Sequence, residues 1–143
     1  MEDSCGFGGW CAGDEAVFAV SFEDRGGTLR RGLVGFRQHA DGSWHAAGSF
    51  TDTARPARPG QVWTTWGGWS AGRRPENAAY GGWVADPHAV SARLVDAAGR
   101  TLEDEVQDGV ALFICARPFG VLGARADLLD ADHEVIRSAP VEL

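Results

Sequence analysis

Residues 16–27 read Ala16-Val17-Phe18-Ala19-Val20-Ser21-Phe22-Glu23-Asp24-Arg25-Gly26-Gly27, and this stretch decides the fold class. Side chains alternate along an extended chain, so Ala16, Phe18, Val20 and Phe22 fall on one face. That period of two predicts a strand over 16–23, ended by the glycine turn. The pattern then returns twice. Residues 28–38 carry Val34 and Phe36 on the same face. After His39-Ala40-Asp41-Gly42, residues 43–50 carry Trp44, Ala46 and Phe50 on a shared face. Asp-Gly between apolar alternations is a hairpin signal, so the first block reads as a three-stranded meander.

Residues 88–143 repeat the logic. Strands are expected at 89–95, at 100–107 as a more polar edge strand, at 110–116 as an apolar central strand covered on both faces, at 121–129 with Leu122, Ala124, Ala126 and Leu128 alternating, and at 134–138. The turns Asp96-Ala97-Ala98-Gly99, Asp108-Gly109 and Asp130-Ala131-Asp132 separate them. About eight strands and no convincing helix predict an all-β fold. The preferred architecture is a single-domain antiparallel β-sandwich over 1–143, with a small closed β-barrel as the alternative.

Between the two blocks the alternation fails. Residues 53–85 read as an irregular connector, with Pro56 and Pro59 keeping its start extended, and one helical turn allowed near 75–80. Trp63, Trp66, Trp69, Tyr80 and Trp83 crowd into it beside Arg73 and Arg74. Four Arg against one Glu give the segment +3 within a chain of net charge −7. Buried, each indole removes on the order of 150–250 Å² from water, so core packing competes with exposure. Not all of these rings can turn inward from one loop, and aromatic rings beside Arg make a recognition surface. The candidate binding residues are therefore Trp63, Trp66, Trp69, Arg73, Arg74, Tyr80 and Trp83. The run Gly-Gly-Trp occurs at 8–10, 67–69 and 81–83, too few copies for a repeat array.

No catalytic set assembles from the motifs. Gly68-Trp69-Ser70-Ala71-Gly72 matches a nucleophile elbow, with Asp86 or Asp127 and then His133 following in order, but the strand-to-helix setting that chemistry needs is not predicted. His39, Asp41 and His45 flank one hairpin turn and could face each other, without a third ligand fixed by spacing. His88 and His133 stand apart from them. Glu103-Asp104-Glu105 with Asp108 reads as a solvated edge. Cys5 and Cys11 lack a second pair for zinc and are close enough to bridge under oxidising conditions. Cys115 reads as a small buried hydrophobe. No catalytic residue, metal or cofactor is expected.

The net charge disfavours nucleic acid and anionic membranes. The N-terminus, Met1-Glu2-Asp3-Ser4-Cys5, resembles no signal peptide, and no run approaches ~20 apolar residues. A cytoplasmic location is the expectation.

Residues 81–137 carry Gly81-Gly82-Trp83-Val84-Ala85-Asp86-Pro87, Val90, Leu94-Val95-Asp96-Ala97-Ala98-Gly99-Arg100, Asp108-Gly109, Asp127 and Asp130. This set resembles an immunoglobulin-like β-sandwich segment common in uncharacterised actinobacterial proteins. The resemblance implies a fold and no activity. The functional expectation is a non-enzymatic binding or accessory domain contacting a protein partner or itself through the Trp/Arg-rich segment. The alternatives are a small barrel enzyme or ligand carrier with an aromatic-lined pocket for a small molecule, and carbohydrate binding through exposed Trp.

Overall fold

In a computed structural model the described residues, 3–4, 9–12, 15–70, 77–116 and 120–141, form strands and turns and no helix; side chains are described over 15–68, 79–113 and 120–141. The strands are β1 (Asp3–Ser4), β2 (Gly9–Ala12), β3 (Glu15–Glu23), β4 (Leu29–Gln38), β5 (Trp44–Thr53), β6 (Trp63–Ser70), β7 (Asn77–Val84), β8 (Ser91–Val95), β9 (Thr101–Glu105), β10 (Val110–Ala116), β11 (Arg125–Leu129) and β12 (Val135–Pro140). All pairings are antiparallel.

They make three sheets, ordered β1-β2-β3-β4-β5, β10-β7-β6 and β12-β11-β8-β9. Among the described residues no sheet closes on itself, so the barrel alternative is not what forms and the architecture is a β-sandwich. The expected two layers are three, because the short middle sheet buries both faces. Along β10, Ala111 and Phe113 join the core shared with the third sheet through Leu94, Ala126 and Leu128. Leu112, between them, turns to Val17 and Leu33 of the first sheet. A period-two strand apolar at every position needs two partners, and here it has them.

The meander over β3–β5 is present as read, but its inward face is the opposite one. Val17 pairs across Gly35 and Ala19 across Leu33, and these face the middle sheet. Phe18, Val20, Val34 and Phe36 lie on the outer face. A bulge in β5 between the pairs Gly35↔Gly48 and Phe36↔Ala46 adds one residue and flips the alternation, so Trp44 and Ala46 point outward while Phe50 points inward.

Two further readings change. Strand β10 is central by burial but lies at an edge of its own sheet, with β7 at the centre. Asp104 of β9 reaches that edge, and its carboxylate accepts the Leu112 N–H (2.9 Å). Strand β11 starts at Arg125, leaving Leu122 exposed in a turn.

One turn chemistry closes four hairpins. In the turns opened by Asp24, His39, Asp96 and Asp130, the opening residue's carbonyl accepts the N–H three residues on at 2.9–3.0 Å. The residue at that fourth position is left-handed: Gly27, Gly42, Gly99, and in the last case His133, with φ of 61°. In three of them the opening Asp carboxylate also accepts the amides two and four residues ahead. Between β9 and β10, Asp108 (φ 52°) and Gly109 (φ 78°) make the two-residue hairpin that Asp-Gly predicts.

Candidate functional site

The segment expected to be an irregular connector is the centre of the molecule. Among its described residues the irregular run is 54–62; Trp63–Ser70 and Asn77–Val84 are paired strands, so no helical turn forms at 77–80. Alternation could not reveal them because glycine stands where apolar side chains would. Gly67 lies directly opposite Gly81, with Trp66 opposite Gly82 and Gly68 opposite Tyr80. The later two Gly-Gly-Trp runs are thus cross-strand neighbours rather than a repeat.

Each of these glycines receives a side chain from elsewhere. A Cβ at Gly67 would stand 2.4 Å from Phe50 Cζ, and one at Gly68 would stand 2.5 Å from Tyr80 Cε1. At Gly82 it would meet the Thr65 carbonyl at 2.4 Å, with Trp63 and Trp66 at 3.0 and 3.2 Å. The register places Trp63, Trp66 and Tyr80 on the face toward the third sheet. A bulge between Trp63 and Thr65 brings the two indoles together despite their odd spacing. Trp63 and Trp66 stack with centroids 4.6 Å apart and planes at 23°, Trp66 and Tyr80 at 6.0 Å and 18°, and Phe113 sits 6.3 Å from both indoles.

All three rings are half-buried and pack on the core cluster. Trp63 and Trp66 use ring faces on each other, so these two indoles do not lie side by side as a flat platform. Both indole Nε1 atoms are buried without a hydrogen-bond partner. Trp83 points to the other face, is 7% exposed, and has Arg31 over its ring at 5.6 Å. Of the expected binding residues, the structure therefore brings together Trp63, Trp66 and Tyr80 and separates Trp83. The Trp69 side chain, Arg73 and Arg74 lie outside the described residues, as do Cys5 and the side chains of Cys11 and Cys115.

The formal elbow partners are engaged elsewhere. Asp127 is 1% exposed and holds Arg93 (3.1 Å), Arg125 (2.9 Å) and Ser138 (2.6 Å). Desolvation pushes its carboxyl up, but the hydrogen bonds from Arg125, Ser138 and Arg93 outweigh it and hold the carboxyl below the usual range. Register explains the cluster: Arg93 and Ser138 are the two cross-strand neighbours of Asp127 in the third sheet. Asp86 takes Arg137 (3.2 Å) and His88 (3.2 Å), and His133 takes Glu103 (2.6 Å).

His39 and His45 do meet across their turn, with centroids 3.9 Å apart. The Ser43 hydroxyl lies between Asp41 (2.5 Å) and His45 Nε2 (2.9 Å). Its proton goes to Asp41, so His45 acts as donor toward Ser43, the reverse of a base activating a nucleophile. Among the described residues no group of three or more His, Cys, Asp or Glu is placed to hold a metal ion.

Alternation named a different surface without recognising it. The outer face of the first sheet carries Phe22 (43% exposed) and Trp44 (44% exposed) at its two ends, with Val20, Phe18, Val34 and Phe36 half-buried between them. Phe18 and Phe36 meet edge to face at 5.8 Å. The described contacts of this sheet with the middle sheet run through its opposite face. On strands β3–β5 the register gives this face one charged side chain, Arg30, which donates to Thr51.

Comparison of the chain with family models, with curated proteins and with solved structures gave no match. Among the described residues no helix is long and apolar enough to cross a membrane.

Proposed function

We propose that this chain is a non-catalytic interaction domain that associates with a second copy of itself through the outer face of its first sheet. The observation that carries the reading is Phe22 and Trp44 exposed on paired strands at either end of a face on which Phe18, Val20, Val34 and Phe36 are half-buried. Scattered exposed apolar groups are ordinary on any surface; two exposed aromatics joined by half-buried apolar groups on one sheet face support a contact surface. Aromatic residues with one Arg and no carboxylate match the composition of interface centres. In a chain of charge −7, this is a face where two copies can meet without opposing carboxylates. Strand spacing and rise give three strands of this length an area roughly 30 by 10–15 Å, which suits weak, micromolar association.

The strand order of β6–β12 supports an immunoglobulin-like reading of the C-terminal half. Labelled A to G along the chain, these strands fall into sheets A-B-E and C′-C-F-G, with the chain crossing between sheets after B, C′ and E. On this reading the β1–β5 sheet is an addition laid on the A-B-E sheet, and it carries the association face.

A dilution series followed by amide ¹⁵N–¹H spectra tests the assignment. Concentration-dependent shifts are expected at 16–22, 30–38 and 44–51. Shifts confined to β9 or β12, or none at all, would overturn it.

A further inference from the structure

We propose that Arg31, Thr65 and Trp83 form a binding site for a small oxyanion, a carboxylate or phosphate group, between the first and middle sheets. Arg31 lies on the inner face of β4, two residues before the fully buried Leu33. Among the described residues five Arg side chains rest on carboxylates, Arg37 on Glu15, Arg93 and Arg125 on Asp127, Arg100 on Asp96 and Arg137 on Asp86, whereas Arg31 does not. Among the described residues Arg31 has no carboxylate within ion-pairing distance. Its one hydrogen bond is long, from Nη1 to Thr64 Oγ1 at 3.5 Å. Its Nε is buried with no acceptor.

A second orphan lies on the face of the middle sheet that carries Trp83. Thr65 is 5% exposed and its Oγ1 has no partner. Thr65 is the cross-strand neighbour of Trp83, and the Arg31 guanidinium lies over the Trp83 ring, 5.6 Å from its centre. Cross-strand neighbours stand ~5 Å apart, so the Thr65 and Arg31 side chains both flank Trp83. Thr64, the bulge residue, donates to the Trp83 carbonyl (3.3 Å) and fixes the edge of this group.

The chemistry selects the ligand. A guanidinium carries five N–H donors and no acceptor, in a fork that matches two oxygens of a carboxylate or phosphate. Resting on an indole face restricts its motion. The threonine hydroxyl adds a donor for a further oxygen. Burying such donors unpaired is unfavourable, and one oxyanion would satisfy Arg31 Nε and Thr65 Oγ1 together. Two groups face Arg31 from the neighbouring strands, Ser21 on β3 and Asp52 on β5. Asp52 uses Oδ1 on the Thr53 amide (2.7 Å) and stays outside ion-pairing range. The site is on the opposite face of the first sheet from the association surface, so either can fail without the other.

The test is a titration of the full chain with sodium phosphate and, separately, sodium acetate, at constant ionic strength made up with chloride, following the Trp83 indole and Thr65 backbone N–H resonances in every variant and the Arg31 Nε–Hε resonance where Arg31 is present. Saturable shifts are expected, with Arg31→Gln weakening binding at least tenfold and the near-isosteric Thr65→Val weakening it severalfold. Tighter binding of phosphate assigns a phosphorylated ligand, and tighter binding of acetate assigns a carboxylic acid. Asp52→Asn is expected to tighten both. Linear shifts matched by chloride alone would overturn the site, as would unchanged binding in Thr65→Val. Binding that appears only in Asp52→Asn would also overturn it, because Asp52 would then be the occupant.

Discussion

Gly67 and Gly81 face each other across β6 and β7, and the side chain each lacks is supplied by another strand: the Phe50 ring covers Gly67, and the ends of Leu112 and Leu33 reach Gly81. The middle sheet is thin because its strands are rich in glycine, and thinness lets layers close on both sides of it.

Gly67→Ala is therefore expected to cost about 1–3 kcal/mol through overpacking, because its Cβ would fall 2.4 Å from the Phe50 ring. Phe50→Leu should recover part of that loss when combined with Gly67→Ala. A double-mutant cycle by urea denaturation should give a coupling outside simple additivity.

Asp127 contributes to the acid limb of stability. Its carboxyl is held below its ordinary value by Arg125, Ser138 and Arg93 against the opposing effect of burial. A depressed folded-state pKa contributes stability that is fully present above about pH 4, the unfolded value, and is lost as pH falls through the lower folded value. Asp127→Asn is expected to destabilise the neutral protein by about 2–3 kcal/mol, the worth of hydrogen bonds to a buried charge. It should also flatten the loss of stability on acidification, as read from denaturation midpoints across the acid range.

His133 occupies the left-handed position that glycine fills at Gly27, Gly42 and Gly99. A side chain there costs roughly 1–2 kcal/mol, offset by the exposed pair with Glu103 (2.6 Å), which contributes roughly 0.2–1 kcal/mol. His133→Gly should raise stability by about 0.5–1 kcal/mol, visible as a higher thermal midpoint. A lower midpoint would show that the Glu103 contact outweighs the backbone effect.

Phe22→Ser and Trp44→Ser remove exposed apolar groups outside both core clusters. Each should change unfolding free energy by no more than about 0.5–1 kcal/mol. Trp83→Phe, by contrast, removes a buried ring and should cost about 2–3 kcal/mol.

Much of this architecture was legible in the residues. The turns at Asp24, His39, Asp96, Asp108 and Asp130 carry their own chemistry, and the alternation at 16–22, 90–94 and 124–128 marks strands directly. Two features hid. The bulge in β5 reverses the faces between Ala46 and Phe50, which no count of alternating residues can show. Strands β6 and β7 place glycine where alternation needs apolar groups, so Trp63, Trp66 and Tyr80 read as loop aromatics when they are half-buried supports of the core. The same bias concealed the association face. Phe18, Val20 and Phe36 look like core on pattern alone, yet Val17 and Leu33 on the less aromatic side are the buried ones. Arg31 gave no signal in the sequence, because its lack of a carboxylate among the described residues depends on register with β5 and on the layer beneath.

Sedimentation equilibrium of the chain and of its Phe22→Ser/Trp44→Ser double variant, from low micromolar to millimolar concentration, tests the central claim most directly. The wild-type chain should pass from monomer to dimer within that range, while the folded double variant stays monomeric throughout. A wild-type chain that remains monomeric at the highest concentration, or a double variant that dimerises equally well, would contradict it.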